Sequence, residues 1–302
     1  MGETRRPRPV ESVVERRHGV VALVGAFTIW GFLPLYLHSV RGVPPTQIMA
    51  HRLVWCSLFV LGWLGARGEL ASVVDALRNA PTRRVLAGSA LLISLNGLTY
   101  VWAVSQDHVV EASLGYFINP LVNVVLGVAL LRERLSRIRW VAVALAGCGV
   151  IYLTWVAGRP PWIAAVLALS FGGYGLLRKT VAVDALVGLC AETLLIAPLG
   201  AAYLLFVEGS GAAALHRATP LVWALLPLGG PLTAIPLALF AFGARRVPYS
   251  TVGIVQYIGP SLQLLLGVLL YREPFTASRA VGFALIWLAL AVYASDGLVR
   301  GR

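Results

Sequence analysis

The chain has 302 residues, of which 58% are hydrophobic and 13% are charged, and its mean hydropathy is +0.79. This composition is too apolar for a water-soluble enzyme. The net charge of +12 comes from arginines and one lysine that lie almost entirely between apolar runs, so we interpret it as contact with anionic lipid and not with nucleic acid. The three cysteines fall within apolar runs, which supports neither disulfides nor a zinc cluster.

Ten apolar runs follow one another between residues 19 and 295, and each is long enough to cross roughly 30 Å of hydrocarbon as a helix. We therefore predict an all-α membrane protein with ten transmembrane helices. The first run follows an arginine-rich head, as in a signal peptide, but the nine further runs favour a retained helix. A short helix on the inner surface is predicted at 70–77, where apolar residues recur at helical spacing. The predicted spans are 19–38, 46–66, 85–106, 110–131, 138–156, 161–177, 185–207, 220–243, 249–271 and 277–295.

The placement of arginine and lysine predicts the orientation, because cytoplasmic loops keep an excess of positive charge. With the N-terminus inside, nineteen basic residues lie in inner segments and five in outer segments, while Arg52 lies within a span. Both termini are therefore predicted to be cytoplasmic, and the membrane is predicted to be the cytoplasmic (inner) membrane of a bacterium.

An internal repeat relates the two halves of the chain. A shift of 140 residues places 111–153 over 251–293 without a gap and matches Pro120 with Pro260, and a shift of 144 superposes Trp30 on Tyr174. Because the repeat unit holds five spans, the second copy must be inverted in the membrane, which is typical of alternating-access transporters. The predicted organisation is a basic cytoplasmic tail at 1–18, a first repeat at 19–156, a second repeat at 161–295 and a cytoplasmic tail at 296–302.

A set of motifs is spread over nearly the whole chain. The most specific is the run Glu111-Ala-Ser-Leu-Gly-Tyr-Phe-Ile-Asn-Pro120-Leu-Val-Asn123, and the others are Trp30-Gly31, His51-Arg52-x-x-Trp55, Arg178-Lys179, Glu192-Thr193 and Gln256-Tyr-Ile-Gly-Pro260. Together they resemble the RarD branch of the EamA group in the drug/metabolite transporter superfamily. The resemblance implies ten helices in two inverted five-helix repeats around a central cavity, and export or exchange of small organic solutes. It implies no particular substrate, and we treat the chloramphenicol label of this branch as a name more than a mechanism.

Two charged residues lie within predicted spans. A carboxylate at the depth of Glu192 costs roughly 2.5 kcal/mol or more and usually faces a cavity or a partner. Glu192 is predicted to bind substrate or to take part in proton coupling, and the alternative is a structural hydrogen bond between helices. For Arg52, substrate binding competes with snorkelling to the outer surface. At ~1.5 Å per residue the two backbones differ in depth by roughly 10 Å, so we expect both side chains to face one cavity rather than each other.

A solute site is predicted between the fourth and ninth spans, because prolines that interrupt helices at matched positions of two halves point to a binding site. Polar residues beside the prolines either line this cavity or bond helices together, and Trp30 is a candidate for stacking on a flat substrate. Arg132 and Glu133 are expected to form a local ion pair, and so are Arg272 and Glu273, which match them under the shift of 140. The predicted substrate-binding residues are Trp30, Arg52, Tyr116, Asn119, Asn123, Glu192, Gln256 and Tyr257, and the predicted helix breaks are at Pro120 and Pro260.

Enzyme motifs are absent from the sequence, which has no phosphate loop, no His-Glu-x-x-His and no Gly-x-Ser-x-Gly. We therefore predict no catalytic residue, metal site or cofactor, and transport that uses an ion gradient, a solute gradient or exchange instead of ATP. The predicted function is a secondary active transporter, or permease, of small organic metabolites or drugs, whose partners are the lipid bilayer and a small-molecule substrate. One alternative is an intramembrane enzyme that handles lipids, which needs clustered acidic or histidine residues at a membrane face. The other is a non-transporting membrane scaffold, which normally has a soluble domain attached.

Overall fold

Within a bilayer only helices and closed barrels satisfy all backbone N–H and C=O groups internally, and the apolar runs of this chain fold as helices. The computed structural model describes residues 13–106, 109–158, 162–270 and 276–300, and all regular secondary structure in these ranges is helical. The helices are α1 (Val13–Ser39), α2 (Pro45–Ala66), α3 (Leu70–Arg78), α4 (Ala80–Ser105), α5 (Val109–Ala129), α6 (Arg137–Ala157), α7 (Trp162–Thr180), α8 (Ala185–Gly209), α9 (Pro220–Ala244), α10 (Tyr249–Val255), α11 (Ile258–Leu269) and α12 (Ala277–Arg300), with a single 3-10 turn at Ala214–Arg217.

Each predicted span overlaps a helix, and the ninth span is divided into α10 and α11. Seven segments of the described chain are long and apolar enough to cross a membrane: α1, α2, α4, most of α6, α8, α9 and the α10–α11 unit. The helices α5 and α12 contain shorter apolar stretches. The remaining predicted span coincides with α7, which ends in the charged residues Arg178 and Lys179.

The predicted surface helix is present as α3, which packs on α8 and α4 through the buried residues Val73 and Ala76. The predicted tails are partly helical, because α1 begins at Val13 and α12 extends to Arg300. Residues 1–12 and 301–302 of these tails, and the Arg272–Glu273 repeat of the Arg132–Glu133 motif, lie outside the described residues.

Large apolar side chains cover the outside of the bundle. Trp155 is 78% exposed and Leu205 is 73% exposed, and many further leucine, valine and tryptophan side chains are similarly uncovered. A protein in water rarely leaves so much apolar surface bare, whereas a protein in lipid gains nothing by burying it. The exposed apolar surface therefore agrees with the composition in indicating a bilayer as the surrounding solvent.

The helices of the two halves pair in a regular way. Helix α1 packs on α9 and on α11, and in the same manner α7 packs on α4 and on α5. The pairs α2–α8, α6–α12 and α5–α10 each join helices that are matched in the predicted sequence repeat. Glycines allow the closest contacts: a Cβ at Gly230 of α9 would lie 2.6 Å from the backbone of Trp55 of α2, so any larger residue would separate these helices.

The two matched prolines have different effects on their helices. Pro260 lacks the N–H that would bond to the Gln256 carbonyl. The helix is interrupted one turn before Pro260, between α10 and α11, and there Gly259 N donates to Gln256 O at 3.1 Å instead. At Pro120 the predicted break is wrong, because α5 continues through this residue. The backbone of α10 packs closely on α5 here, because a Cβ added to Gly253 would lie 2.8 Å from the Pro120 carbonyl oxygen. Contact with a neighbouring helix of this kind allows a proline to remain inside a membrane helix.

Candidate functional site

A cavity of about 100 Å³ lies inside the bundle between the helices of the two halves. Its wall includes residues of α1, α2, α4 and α5 from the first half and of α7, α8, α9 and α11 from the second half. Most of the wall is apolar or aromatic, with a few polar groups, which is the usual composition of a site for a small organic molecule. The polar and charged wall residues are Arg52, Ser94, Asn96, Tyr100, Tyr116, Glu192, Thr193, Thr233, Gln256 and Gln263.

An aromatic cluster forms one part of this wall, at the place where α1 meets α7. The Trp30 ring lies 5.5 Å from Phe27 and 5.5 Å from Phe171 between ring centroids. Phe240 of α9 lies 5.9 Å from Trp30 and 5.8 Å from Tyr174. The sequence repeat that matches Trp30 with Tyr174 thus corresponds to two aromatic residues that contact the same ring, Phe240. The Trp30 contact is tilted and the Tyr174 contact is stacked.

The carbonyl of Trp30 has no backbone donor one turn further along α1. Pro34 lies one turn further along α1 and has no N–H to offer this carbonyl. The side chain of Gln263 on α11 donates to Trp30 O instead, at 3.0 Å. The carbonyl that Pro34 leaves without a donor in the first half is therefore hydrogen-bonded by a glutamine of the second half at the cavity wall.

Arg52 projects from α2 into the cavity and is only 6% exposed. Its Nε donates to Thr233 Oγ1 on α9 at 3.0 Å, and that hydroxyl in turn donates to Gly229 O at 2.7 Å. Its Nη1 is buried without a hydrogen-bond partner among the residues that the structure describes, and so is the nearby hydroxyl of Tyr36. Both side chains pack on Gly229, where a Cβ would lie 2.5 Å from the Tyr36 hydroxyl and 3.0 Å from Arg52 Cγ.

Glu192 is 2% exposed and bonds to two other helices. Its Oε1 accepts a hydrogen bond from the Ser89 hydroxyl of α4 and lies 3.4 Å from Nη1 of Arg178 on α7. Arg178 is fully buried, and its Nη2 donates to Ala185 O at 2.8 Å. The second carboxylate oxygen, Oε2, has no partner within the described part of the chain. Glu192 therefore bonds α8 to two neighbouring helices and also lies on the cavity wall.

Arg52 and Glu192 line the same cavity at different depths. The antiparallel pairing of α2 with α8 places Thr46 beside Tyr203, whose side-chain oxygens are 2.7 Å apart, and Ala50 beside Gly200. This register puts Glu192 about six residues further along α2 than Arg52, which is ~9 Å at ~1.5 Å per residue. No ion pair between the two appears among the described residues, in agreement with the depth argument from the sequence.

Of the predicted polar residues on α5 and at the junction of α10 and α11, Tyr116 and Gln256 line the cavity, and Asn119, Asn123 and Tyr257 lie beside it. Asn123 Nδ2 donates to Gln256 Oε1 at 2.8 Å, and the Tyr257 hydroxyl approaches Phe117 O at 3.4 Å. Asn119 is fully buried, and neither its Oδ1 nor its Nδ2 has a partner in the described ranges. These contacts bond α5 to the two residues between α10 and α11 and so hold Gln256 at the wall.

The structure thus brings Trp30, Arg52, Tyr116, Glu192 and Gln256 together on one wall, with Pro260 beside them. It leaves the other predicted residues, Asn119, Asn123, Tyr257 and Pro120, in the neighbouring helix contact.

Arg178 and Ser89 are the site residues that the sequence did not identify as such. Arg178 belongs to the Arg178-Lys179 motif but was expected only as an inner basic residue. The predicted span ends at 177 and leaves Arg178 just outside it, whereas α7 continues to Thr180 and holds Arg178 in its last turn. Ser89, a small polar residue in an apolar helix, carried no signal that distinguished it from other serines.

Glu133 also has a different partner from the one expected. Its carboxylate accepts from the backbone N–H groups of Tyr249, at 2.6 Å, and of Ser250, at 3.1 Å, and not from Arg132. It therefore caps the N-terminus of α10, where free N–H groups and the helix dipole favour a carboxylate. A residue of the first half thereby fastens a helix of the second half at the predicted cytoplasmic face.

Comparison with known proteins identifies the family. The model of the EamA-like transporter family matches residues 17–155, nearly the whole of the first predicted repeat. An uncharacterized transporter of Pseudomonas aeruginosa is 46% identical over 287 residues, covering 93% of this chain and 94% of the relative. Protein RarD of Escherichia coli K12 is 40% identical over 288 residues, covering 95% and 97%. This chain belongs to the EamA-like transporter family, in its RarD branch.

A second protein of Pseudomonas aeruginosa, named chloramphenicol-sensitive protein RarD, is 31% identical over 292 residues, covering 92% of this chain and 94% of that relative. A solved crystal structure of another protein superposes with a TM-score of 0.67 at 23% identity, covering 91% of this chain and 96% of that chain. At this identity the superposition supports the fold alone. The RarD resemblance is confirmed, and the chain is a multi-pass membrane protein of a transporter family.

Proposed function

We propose that this RarD-type protein is a secondary active transporter that moves a small organic solute across the cytoplasmic membrane by alternating access. The observation that carries the proposal is the cavity, whose wall is shared by the two halves of the chain and combines aromatic rings with a few buried polar groups. A cavity of about 100 Å³ is smaller than the roughly 300–1,000 Å³ that drug-sized ligands occupy, so a larger solute requires the halves to separate.

The pairing of helices supports two inverted five-helix repeats as the moving parts. The contacts of α1 with α9 and α11 correspond to those of α7 with α4 and α5, as expected when one half is rotated onto the other. Both halves supply wall residues, so rocking of one against the other exposes the cavity first to one side of the membrane and then to the other. Trp30, Arg52, Tyr116 and Gln256 are the proposed contacts of the solute, and Asn123 positions Gln256.

Proton coupling through Glu192 is the second part of the proposal. In its charged form Glu192 neutralises Arg178 and bonds to Ser89, so it joins α8 to α7 and α4. Protonation removes the attraction to Arg178 and loosens these contacts. Because Oε2 has no partner among the described side chains and the residue lines the cavity, a proton can reach it through the solute pathway. Proton uptake would then favour the state in which α7 and α8 move apart.

The test is uptake and efflux in proteoliposomes, screened over amino acids, vitamins and amphenicol drugs with and without a pH gradient. Wild-type protein is expected to accumulate its solute when a gradient is imposed. Glu192→Gln is expected to retain exchange but to lose the gradient-driven accumulation, with Glu69→Gln, a change at an exposed carboxylate near α3, as the matched control. Equal dependence on the gradient in wild type and Glu192→Gln contradicts proton coupling, and the absence of any solute movement contradicts the transporter.

A further inference from the structure

The two charged residues described on the cavity wall differ in whether another side chain neutralises them. These residues are Arg52 and Glu192. Glu192 is already neutralised by Arg178, which is fully buried at a distance of 3.4 Å. Arg52 has no carboxylate within ion-pair distance anywhere in the described ranges, and its one bonded nitrogen is Nε, to a neutral hydroxyl. Counting the described side chains alone, the buried site therefore carries one uncompensated positive charge.

An unpaired guanidinium in an apolar surrounding is costly, and buried charges are normally paired or occupied by a ligand. Arg52 is 6% exposed, lines the cavity, and keeps Nη1 free of protein partners. The Tyr36 hydroxyl, which packs against the same glycine as Arg52, is a second buried donor without a partner among the described residues. The guanidinium group on the cavity wall fits a planar carboxylate, and the Tyr36 hydroxyl, which is off the wall, packs on the same glycine as a further donor.

We propose that Arg52 binds the carboxylate of a monoanionic solute, whose apolar or aromatic body lies against Trp30 and Tyr116. This inference rests on the proposed function, since it names the class of solute for the same cavity. A single negative charge brings the site to neutrality, whereas a dianion such as a phosphate monoester would leave it with an excess negative charge. The aromatic wall provides apolar contact for the body of the solute.

The binding test uses three probes that share one body and differ in charge: 3-phenylpropionate, 3-phenylpropionamide and 3-phenylpropylamine. Each is added to the purified full-length protein in detergent, and the thermal midpoint Tm is recorded against probe concentration. The carboxylate is expected to raise Tm to a plateau, and the amide and the amine are expected to leave it unchanged. Benzyl phosphate, added as a fourth probe, is expected to have less effect than the carboxylate.

Three variants assign the binding to Arg52. Arg52→Met is expected to remove the carboxylate effect while keeping or raising the Tm of the free protein, because it deletes a buried charge that has no internal partner. Arg52→Lys keeps the positive charge but loses the planar set of guanidinium N–H donors. The half-saturating concentration of the carboxylate should therefore rise about tenfold or more, which is the loss of affinity expected for one charge-assisted hydrogen bond. Arg84→Met, at an exposed arginine of α4, should respond to the carboxylate as the wild type does.

An effect of the amide or the amine equal to that of the carboxylate overturns the proposal, as does a carboxylate effect that survives in Arg52→Met. The absence of an effect with any carboxylate overturns it as well. Counterflow in proteoliposomes separates this failure from failure of the transporter. Exchange of a neutral or cationic solute without exchange of carboxylates refutes the anionic class and leaves transport standing, while no exchange of any solute refutes transport itself.

Discussion

The buried pair of Arg178 and Glu192 allows a quantitative prediction, because it has no solvent to screen it. At the observed 3.4 Å and an effective dielectric constant of about 20, the attraction between two unit charges is about 5 kcal/mol. Removing one member of a buried pair leaves the other uncompensated and typically costs about 3–5 kcal/mol, whereas removing both is often close to neutral. The effects of the two single substitutions should therefore be strongly non-additive.

We expect Glu192→Gln to lower the free energy of unfolding by about 3 kcal/mol, because glutamine keeps an oxygen for Ser89 but leaves Arg178 charged. Arg178→Met should lower it by less, since an isolated carboxylate can take up a proton and become neutral. The double variant should be no less stable than Glu192→Gln alone, which corresponds to a coupling energy of about 2–3 kcal/mol.

The assay is reversible unfolding of the four proteins in mixed micelles, analysed as a double-mutant cycle. The matched control is the exposed pair Arg67 and Glu69, whose Nε and Oε1 atoms are 2.6 Å apart. For that pair a coupling below about 1 kcal/mol is expected in spite of the shorter distance, because solvent screens it. Additivity within about 0.5 kcal/mol at Arg178 and Glu192 would show that burial does not strengthen their interaction and would refute the reasoning.

Three further predictions test other parts of the structure. Gly188→Ala should lower Tm, because its Cβ would clash with the guanidinium of Arg178, whereas Gly62→Ala, with nothing within 4 Å, should not; equal effects would contradict the packing. A periplasm-active alkaline phosphatase fused after Gly297 should be silent, since both termini are predicted inside, and strong activity would refute that topology. Glu133→Ala should lower the unfolding free energy by about 1–2 kcal/mol through loss of the α10 cap, measured against Glu133→Gln, which keeps one acceptor; an effect no larger than that of Glu133→Gln would contradict it.

The course of the helices could be predicted from the sequence because composition and helix starts are local properties. An apolar run long enough to cross lipid has few alternatives to a helix. Starts are marked by capping residues: the side chain of Asp184 accepts from Leu186 N at 2.9 Å at the start of α8, and Thr219 precedes Pro220 at the start of α9. Predicted and observed starts coincide at both places.

The partners within the site could not be predicted, because they depend on how each helix is rotated about its axis. Arg178 and Lys179 are neighbours in sequence, yet Arg178 turns inward to Glu192 while Lys179 donates to the carbonyls of Ala244 and Val247 at the end of α9. Their charges and their position in the last turn of α7 are alike. Only the packing of α7 on its neighbours distinguishes them, and that packing is a property of the whole bundle.

The effect of a proline on the backbone also depends on packing that the sequence does not reveal. Pro120 and Pro260 remove the same hydrogen bond from equivalent helices, but only the second helix divides. Proline defines which carbonyl loses its donor, and the surroundings decide whether the helix bends or breaks. Pro34 is a third case, in which a glutamine from the other half supplies the missing donor and the helix continues.

The repeat itself accounts for the unequal charges at the cavity. A shift of 140 matches Arg52 with Glu192, and the shift of 144 that superposes Trp30 on Tyr174 matches Pro34 with Arg178. In the second half, the residues at these two positions form an ion pair across α7 and α8. In the first half the corresponding position is a proline, which has no charge to offer Arg52. The two sequence repeats thus differ in that the second contains a counter-ion for Glu192, and we expect a ligand to neutralise Arg52 in the first.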